Sequence, residues 1–83
     1  MALFMDTHEK IDGLTKEAAA GAHAMDLATQ EKYDANFLRY WFNEDTGRVY
    51  CLIEAPTAEA ANQVHKEAHG LLADEIVEVS EGR

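Results

Sequence analysis

The chain has 83 residues, 47% of them apolar and 28% charged, and seven Lys and Arg stand against 16 Asp and Glu for a net charge of −9. That size and mix describe one small domain, residues 1–83. The charge excludes nucleic acid as a main partner, because phosphate binding needs a basic surface, and it disfavours an anionic membrane; it suits a cation.

No run approaches the ~18 apolar residues of a membrane span. Met1 leads into mixed polar sequence rather than a basic start and an apolar run, so no signal peptide is expected and the expected location is the cytoplasm. The single cysteine, Cys51, cannot form an internal disulfide. A chain this short buries only ~60% of its unfolded surface, so an oligomer or a metal is the expected stabiliser.

Residues Ala2 to His8 read as a strand, with Leu3, Met5 and Thr7 on one face and Phe4, Asp6 and His8 on the other. Asp12-Gly13 breaks the chain, and Thr15 opens a helix with Glu17 near its positive end. Leu14, Ala18, Ala22, Met25 and Thr29 fall at helical spacing and form the expected inward stripe. The helix should end near Lys32. Phe37 to Phe42 is an aromatic strand in which Phe37, Arg39 and Trp41 alternate with Leu38, Tyr40 and Phe42. Asn43 to Gly47 is a hairpin loop. The return strand runs from Val49 to Glu54, with Val49, Cys51 and Ile53 on one face and Tyr50 and Leu52 on the other. Pro56 stops it. Thr57 opens a second helix whose apolar stripe is Ala60, Ala61, Val64, Ala68 and Leu71, and Gly70 marks its end. Glu75 to Val79 is a last short strand, and Ser80 to Arg83 a frayed tail.

The order βαββαβ is that of the α+β, ferredoxin-like fold: a four-stranded antiparallel sheet with two helices on one face. The central hairpin is apolar or aromatic on both faces, and two helices cover only one. A lone chain would expose a patch with members such as Tyr40, Phe42, Tyr50 and Leu52, or the opposite set. Covering ~600 Å² at ~25 cal/mol per Å² contributes roughly 15 kcal/mol before the costs of association. A homodimer packed through the sheet is expected.

Four histidines offer the chemistry. His65 and His69 stand four residues apart, so their rings share a helix face and can chelate one divalent transition metal. Lys66 occupies the place where a zincin motif has Glu. His23 shares a polar stripe with Asp26 and Gln30, beside the alanine stripe, which pairs a possible ligand with a carboxylate. His8 ends the first strand at the rim where strand and helix ends meet. Glu54, ending its own strand, is a spare ligand. Cys51 reads as a buried small hydrophobe. There is no phosphate loop, no nucleophile elbow and no paired-cysteine motif.

Several blocks then align with a known pattern. They are Ala22-His23-Ala24-Met25-Asp26-Leu27, Leu38-Arg39-Tyr40-Trp41-Phe42, Val49-Tyr50-Cys51-Leu52-Ile53-Glu54-Ala55-Pro56, Val64-His65-Lys66-Glu67-Ala68-His69-Gly70 and Asp74-Glu75-Ile76. Together, from about Phe4 to Val79, the chain resembles a family of small bacterial ferredoxin-like proteins described as nickel-binding or nickel-responsive. The resemblance implies a dimer that binds Ni²⁺ in nickel sequestration or homeostasis. It assigns no ligands; His65, His69, His23, His8, Asp26 and Glu54 are candidates on their chemistry, and other divalent transition metals share that chemistry. The rival reading is an enzyme or small-molecule binder with a pocket between sheet and helices, using His23 as a base oriented by Asp26. If His23 and Asp26 turn inward onto an enclosed pocket of ~300 Å³ or more, the rival gains; if the histidines face solvent or the dimer rim, the metal reading gains.

Overall fold

Hydrophobic alternation and turn chemistry produce the expected order of elements. The computed structural model describes residues 1–82. It contains β1 (Ala2–His8), α1 (Lys16–Thr29), β2 (Asn36–Asn43), β3 (Arg48–Ala55), α2 (Ala58–Ala68) and β4 (Glu75–Val79). The strands pair antiparallel in the order β2-β3-β1-β4. This is the ferredoxin-like α+β arrangement.

Side-chain caps set the helix starts. The Thr15 Oγ1 accepts the Ala18 N–H at 3.0 Å, and the Thr57 Oγ1 accepts the Ala60 N–H at 3.1 Å. Each cap satisfies a donor that the first helical turn leaves free, worth ~1 kcal/mol. After Thr29 a 3₁₀ turn (Gln30–Tyr33) carries the chain to Asp34, which closes it in the left-handed region at φ 54°. In the β2–β3 hairpin the Asn43 side chain accepts the N–H groups of Asp45 and Thr46. Gly47 follows at φ 77°, and a Cβ there would lie 3.0 Å from the Ile11 carbonyl oxygen. Only glycine fits that position without strain.

The core lies between the sheet and the helices. Phe4, Phe37, Val49, Cys51, Ile53 and Ala55 point inward from the strands, against Leu14 and Ala19 near α1 and Ala61 and Val64 of α2. Leu71, expected in the apolar stripe, is 41% exposed beyond the end of α2. The expected tail has no strand or helix through Gly82, and Arg83 lies outside the described residues.

Two faces differ from the sequence reading. On α1 the buried residues are Ala19 and Asp26, with Ala22 and His23 half-buried, while Ala18 is exposed and Met25 is 51% exposed. The polar stripe faces in and the methionine faces out. Six of the 14 residues of α1 are alanine, so burial energy barely distinguishes its sides, and the pairing of Asp26 decides its rotation. On β2 a bulge separates Phe37, opposite Ile53, from Arg39, opposite Leu52. The additional residue at Leu38 breaks the alternation. Phe37 and Tyr40 therefore share the inner face, and Trp41, opposite Tyr50, turns outward. The outer face carries Met5, Trp41, Tyr50, Leu52 and Val77, of which Trp41 and Val77 are close to half exposed. Tyr40 and Phe42 are not on it.

Candidate metal centre

The sequence places an imidazole, His65, one turn before the end of α2, and the fold closes both edges of its ring. His65 is 1% exposed. On one edge its Nε2 lies 2.7 Å from Asp6 Oδ2 and 3.4 Å from His8 Nε2, both brought by β1. On the other its Nδ1 lies 3.0 Å from Asp26 Oδ1, brought by α1, and 3.3 Å from His69 Nε2. Asp26 Oδ1 is also 3.0 Å from His69 Nε2. Antiparallel register adds Cys51, the direct partner of Asp6 across β1 and β3, whose N–H donates to Asp6 Oδ1.

Two buried carboxylates around one ring set the charge. Burial works to lower the His65 pKa, but the hydrogen bonds to Asp26 and Asp6 outweigh it and raise it to about 9. Burial likewise works to raise Asp26, and the hydrogen bonds from His65 and His69 instead hold it below its ordinary value. His65 thus presents a ring nitrogen to each of two buried acidic side chains, which favour its protonated form. His8 goes the other way: burial lowers its pKa against the opposing pull of Asp6. Burial, with Asp6 adding to it, pushes the Cys51 thiol up, the opposite of the shift that activates a cysteine. The His69 ring is oriented by the Leu71 N–H, which donates to its Nδ1 and leaves Nε2 as the protonated nitrogen facing Asp26.

The cluster opens on a cavity of about 70 Å³ lined by His8, Asp26, His65, His69, Cys51, His23 and Tyr40 among apolar neighbours. It has room for waters or a hydrated ion, and is far below the ~300 Å³ of a small-molecule site. His23 stacks on Tyr40 at 4.6 Å, and its buried Nδ1 has no hydrogen-bond partner among the described residues. Asp26 is engaged by His65 and His69, so it does not orient His23 as a base.

Of the six candidates, the fold gathers His65, His69, Asp26 and His8, and sets His23 on the wall of the same cavity. It does not bring Glu54 there. Glu54 alternates with Cys51 and Ile53 and projects from the outer face of β3, half-buried. Asp6 and Cys51 were not among the candidates. The signal for Asp6 was an acid between Phe4 and His8 on one strand face, a position that buries a charge and so demands a partner. Cys51 is buried as read, and its strand partner makes it more than a hydrophobe. Glu67, between the two histidines, points away and accepts hydrogen bonds from Lys32 and Tyr33.

Two donor groups share His65: Asp26 with His65 and His69, and Asp6 with His8, Cys51 and His65. Around an ion bound at ~2.1 Å, donors at right angles lie ~3.0 Å apart and donors at the tetrahedral angle ~3.4 Å apart. The first group, with edges of 3.0, 3.0 and 3.3 Å, approximates one face of an octahedron. Imidazole and carboxylate in that geometry suit nickel and its neighbours among divalent ions.

Residues 4–79 match the family model described as nickel responsive protein SCO4226-like. The crystal structure of SCO4226 from Streptomyces coelicolor A3(2) superposes with a TM-score of 0.91 at 40% identity, over 99% of this chain and 100% of that one. No curated protein matches the chain. No helix among the described residues is long and apolar enough to cross a membrane.

Proposed function

Because the chain belongs to the SCO4226-like family of nickel-responsive proteins, we propose that it binds Ni²⁺ and serves nickel sequestration or homeostasis. Asp26, His65 and His69 hold the ion on one side, and waters in the cavity complete six-coordination. The triangle of donors at 3.0, 3.0 and 3.3 Å, open on its far side to a small cavity, carries this reading. His23, with a buried nitrogen that lacks a partner on the same cavity wall, is the reserve donor or the acceptor for a bound water. Glu54 takes no part.

Binding displaces the His65 proton, and the Leu71 N–H contact to His69 gives way so that the ring can carry its proton on Nδ1. The −9 charge raises the local concentration of cations. Intrinsic preference does not disfavour Cu²⁺, so a role specific to nickel rests on which ion the cell supplies. The working form is a homodimer joined through the outer sheet face, in a cytoplasm that keeps Cys51 a free thiol.

Isothermal titration of the metal-free chain with Ni²⁺ tests the assignment. Asp26→Asn and His69→Ala should each weaken binding at least tenfold. Unchanged affinity in both removes these residues from the site.

A further inference from the structure

The nickel reading uses one edge of the His65 ring and leaves the other unexplained. There the buried set Asp6, His8, Cys51 and His65 offers one oxygen, two nitrogens and a sulfur, all within 4.8 Å of one another. We infer that this set is a second, closed metal site, selective for a tetrahedral thiophilic ion of the zinc class, and that His65 bridges the two ions with one ring nitrogen on each.

Four observations carry it. The donors are mixed N, O and S and number four, the complement of a tetrahedral site filled by side chains, whereas the other group has only three donors. The separations of His8 Nε2 from His65 Nε2, 3.4 Å, and from Asp6 Oδ1, 3.6 Å, are near the ~3.4 Å edge of a tetrahedron with ~2.1 Å bonds. All four residues are buried, and the cavity that reaches Cys51, His8 and His65 gives an ion its way in. The assignment of nitrogens is already made, since Nε2 faces Asp6 and His8 while Nδ1 faces Asp26 and His69.

The 2.7 Å contact between His65 and Asp6 is a hydrogen bond in the metal-free form and opens when its proton leaves. The bridging ring carries no proton, so both ring protons of the imidazolium pass to water. The thiol proton follows when sulfur binds the ion. The inference rests on the nickel reading only through the shared ring.

Co²⁺ is the probe, because tetrahedral thiolate-bound cobalt is strongly coloured and octahedral cobalt with nitrogen and oxygen ligands is nearly colourless. Titrating the metal-free full chain with Co²⁺ should give an intense visible band and a near-ultraviolet thiolate charge-transfer band. Cys51→Ser should lower both at least tenfold while leaving Ni²⁺ affinity within about twofold. His69→Ala should keep both bands and lose nickel. Absence of the bands in the wild-type chain, or their survival in Cys51→Ser, overturns the second site. If Asp26→Asn and His69→Ala leave nickel affinity unchanged while the bands appear, the nickel assignment fails and the closed site stands. His65→Asn should abolish both ions. Since that variant risks misfolding, adding Ni²⁺ to the cobalt-loaded wild-type chain is the independent check: the visible band should shift, and a band unmoved at full nickel occupancy overturns the bridge.

Discussion

The two faces of the sheet invert the usual division of a small protein. The face covered by helices holds four buried polar side chains, Asp6, His8, Asp26 and His65, where a core would ordinarily be apolar throughout. The uncovered face carries Trp41, Tyr50, Leu52, Met5 and Val77, where solvent would ordinarily find polar residues. Hydrophobic burial that an isolated chain forgoes inside is available outside, through association. Buried polar chemistry and an uncovered apolar surface thus lie on opposite sides of one sheet.

The sharpest way to break this division is to remove a charge from the inner face. Asp6→Ala strips His65 Nε2 of its carboxylate and leaves the Cys51 N–H without an acceptor. Urea unfolding of the metal-free chain should show a loss of ~3–5 kcal/mol, the cost of stranding a buried charge. On the outer face, Leu52→Glu places a charge at the centre of the apolar patch. Light scattering should show the wild-type mass to be twice the variant's, with nickel affinity per chain unaltered. Equal masses would detach the outer face from assembly.

Acidity separates the faces more gently. His65 is raised from 6.5 to about 9 in the folded chain. The folded state therefore holds that proton more tightly than the unfolded one. The resulting stability is complete below pH ~6.5 and is lost as pH rises through about 9. The Tm of the metal-free protein should fall across that window, and His65→Asn should flatten the profile. Nickel affinity should rise over the same range, because the metal no longer has to expel the proton. A Tm that stays level between those values would show the ring to be neutral. The smallest effect belongs to Glu54→Gln on the outer face: within ~0.5 kcal/mol in stability and no change in nickel titration.

Much of this was legible in the sequence. Thr15 and Thr57 marked the helix starts, Gly47 and Gly70 the turns, and the alternation on β1 and β3 fixed which residues face inward. His65 with His69 was visible as a spacing. Three things were not. The rotation of α1 was hidden by alanines, which are nearly as comfortable exposed as buried, so that only a partner on α2 could reveal Asp26 as inward. The bulge at Leu38 has no composition of its own and depends on how β2 meets β3. Cys51 acquires its neighbours from strand register, across 45 residues of chain.

Asp6 and His8 come from β1, Asp26 from α1, Cys51 from β3, and His65 with His69 from α2 and its cap. No contiguous stretch owns more than two of them. The six side chains therefore come together only once the last quarter of the chain, which carries His65 and His69, has packed against the first. Because a cavity already reaches His8, Asp26, His65 and His69, access to the assembled cluster does not require those elements to part.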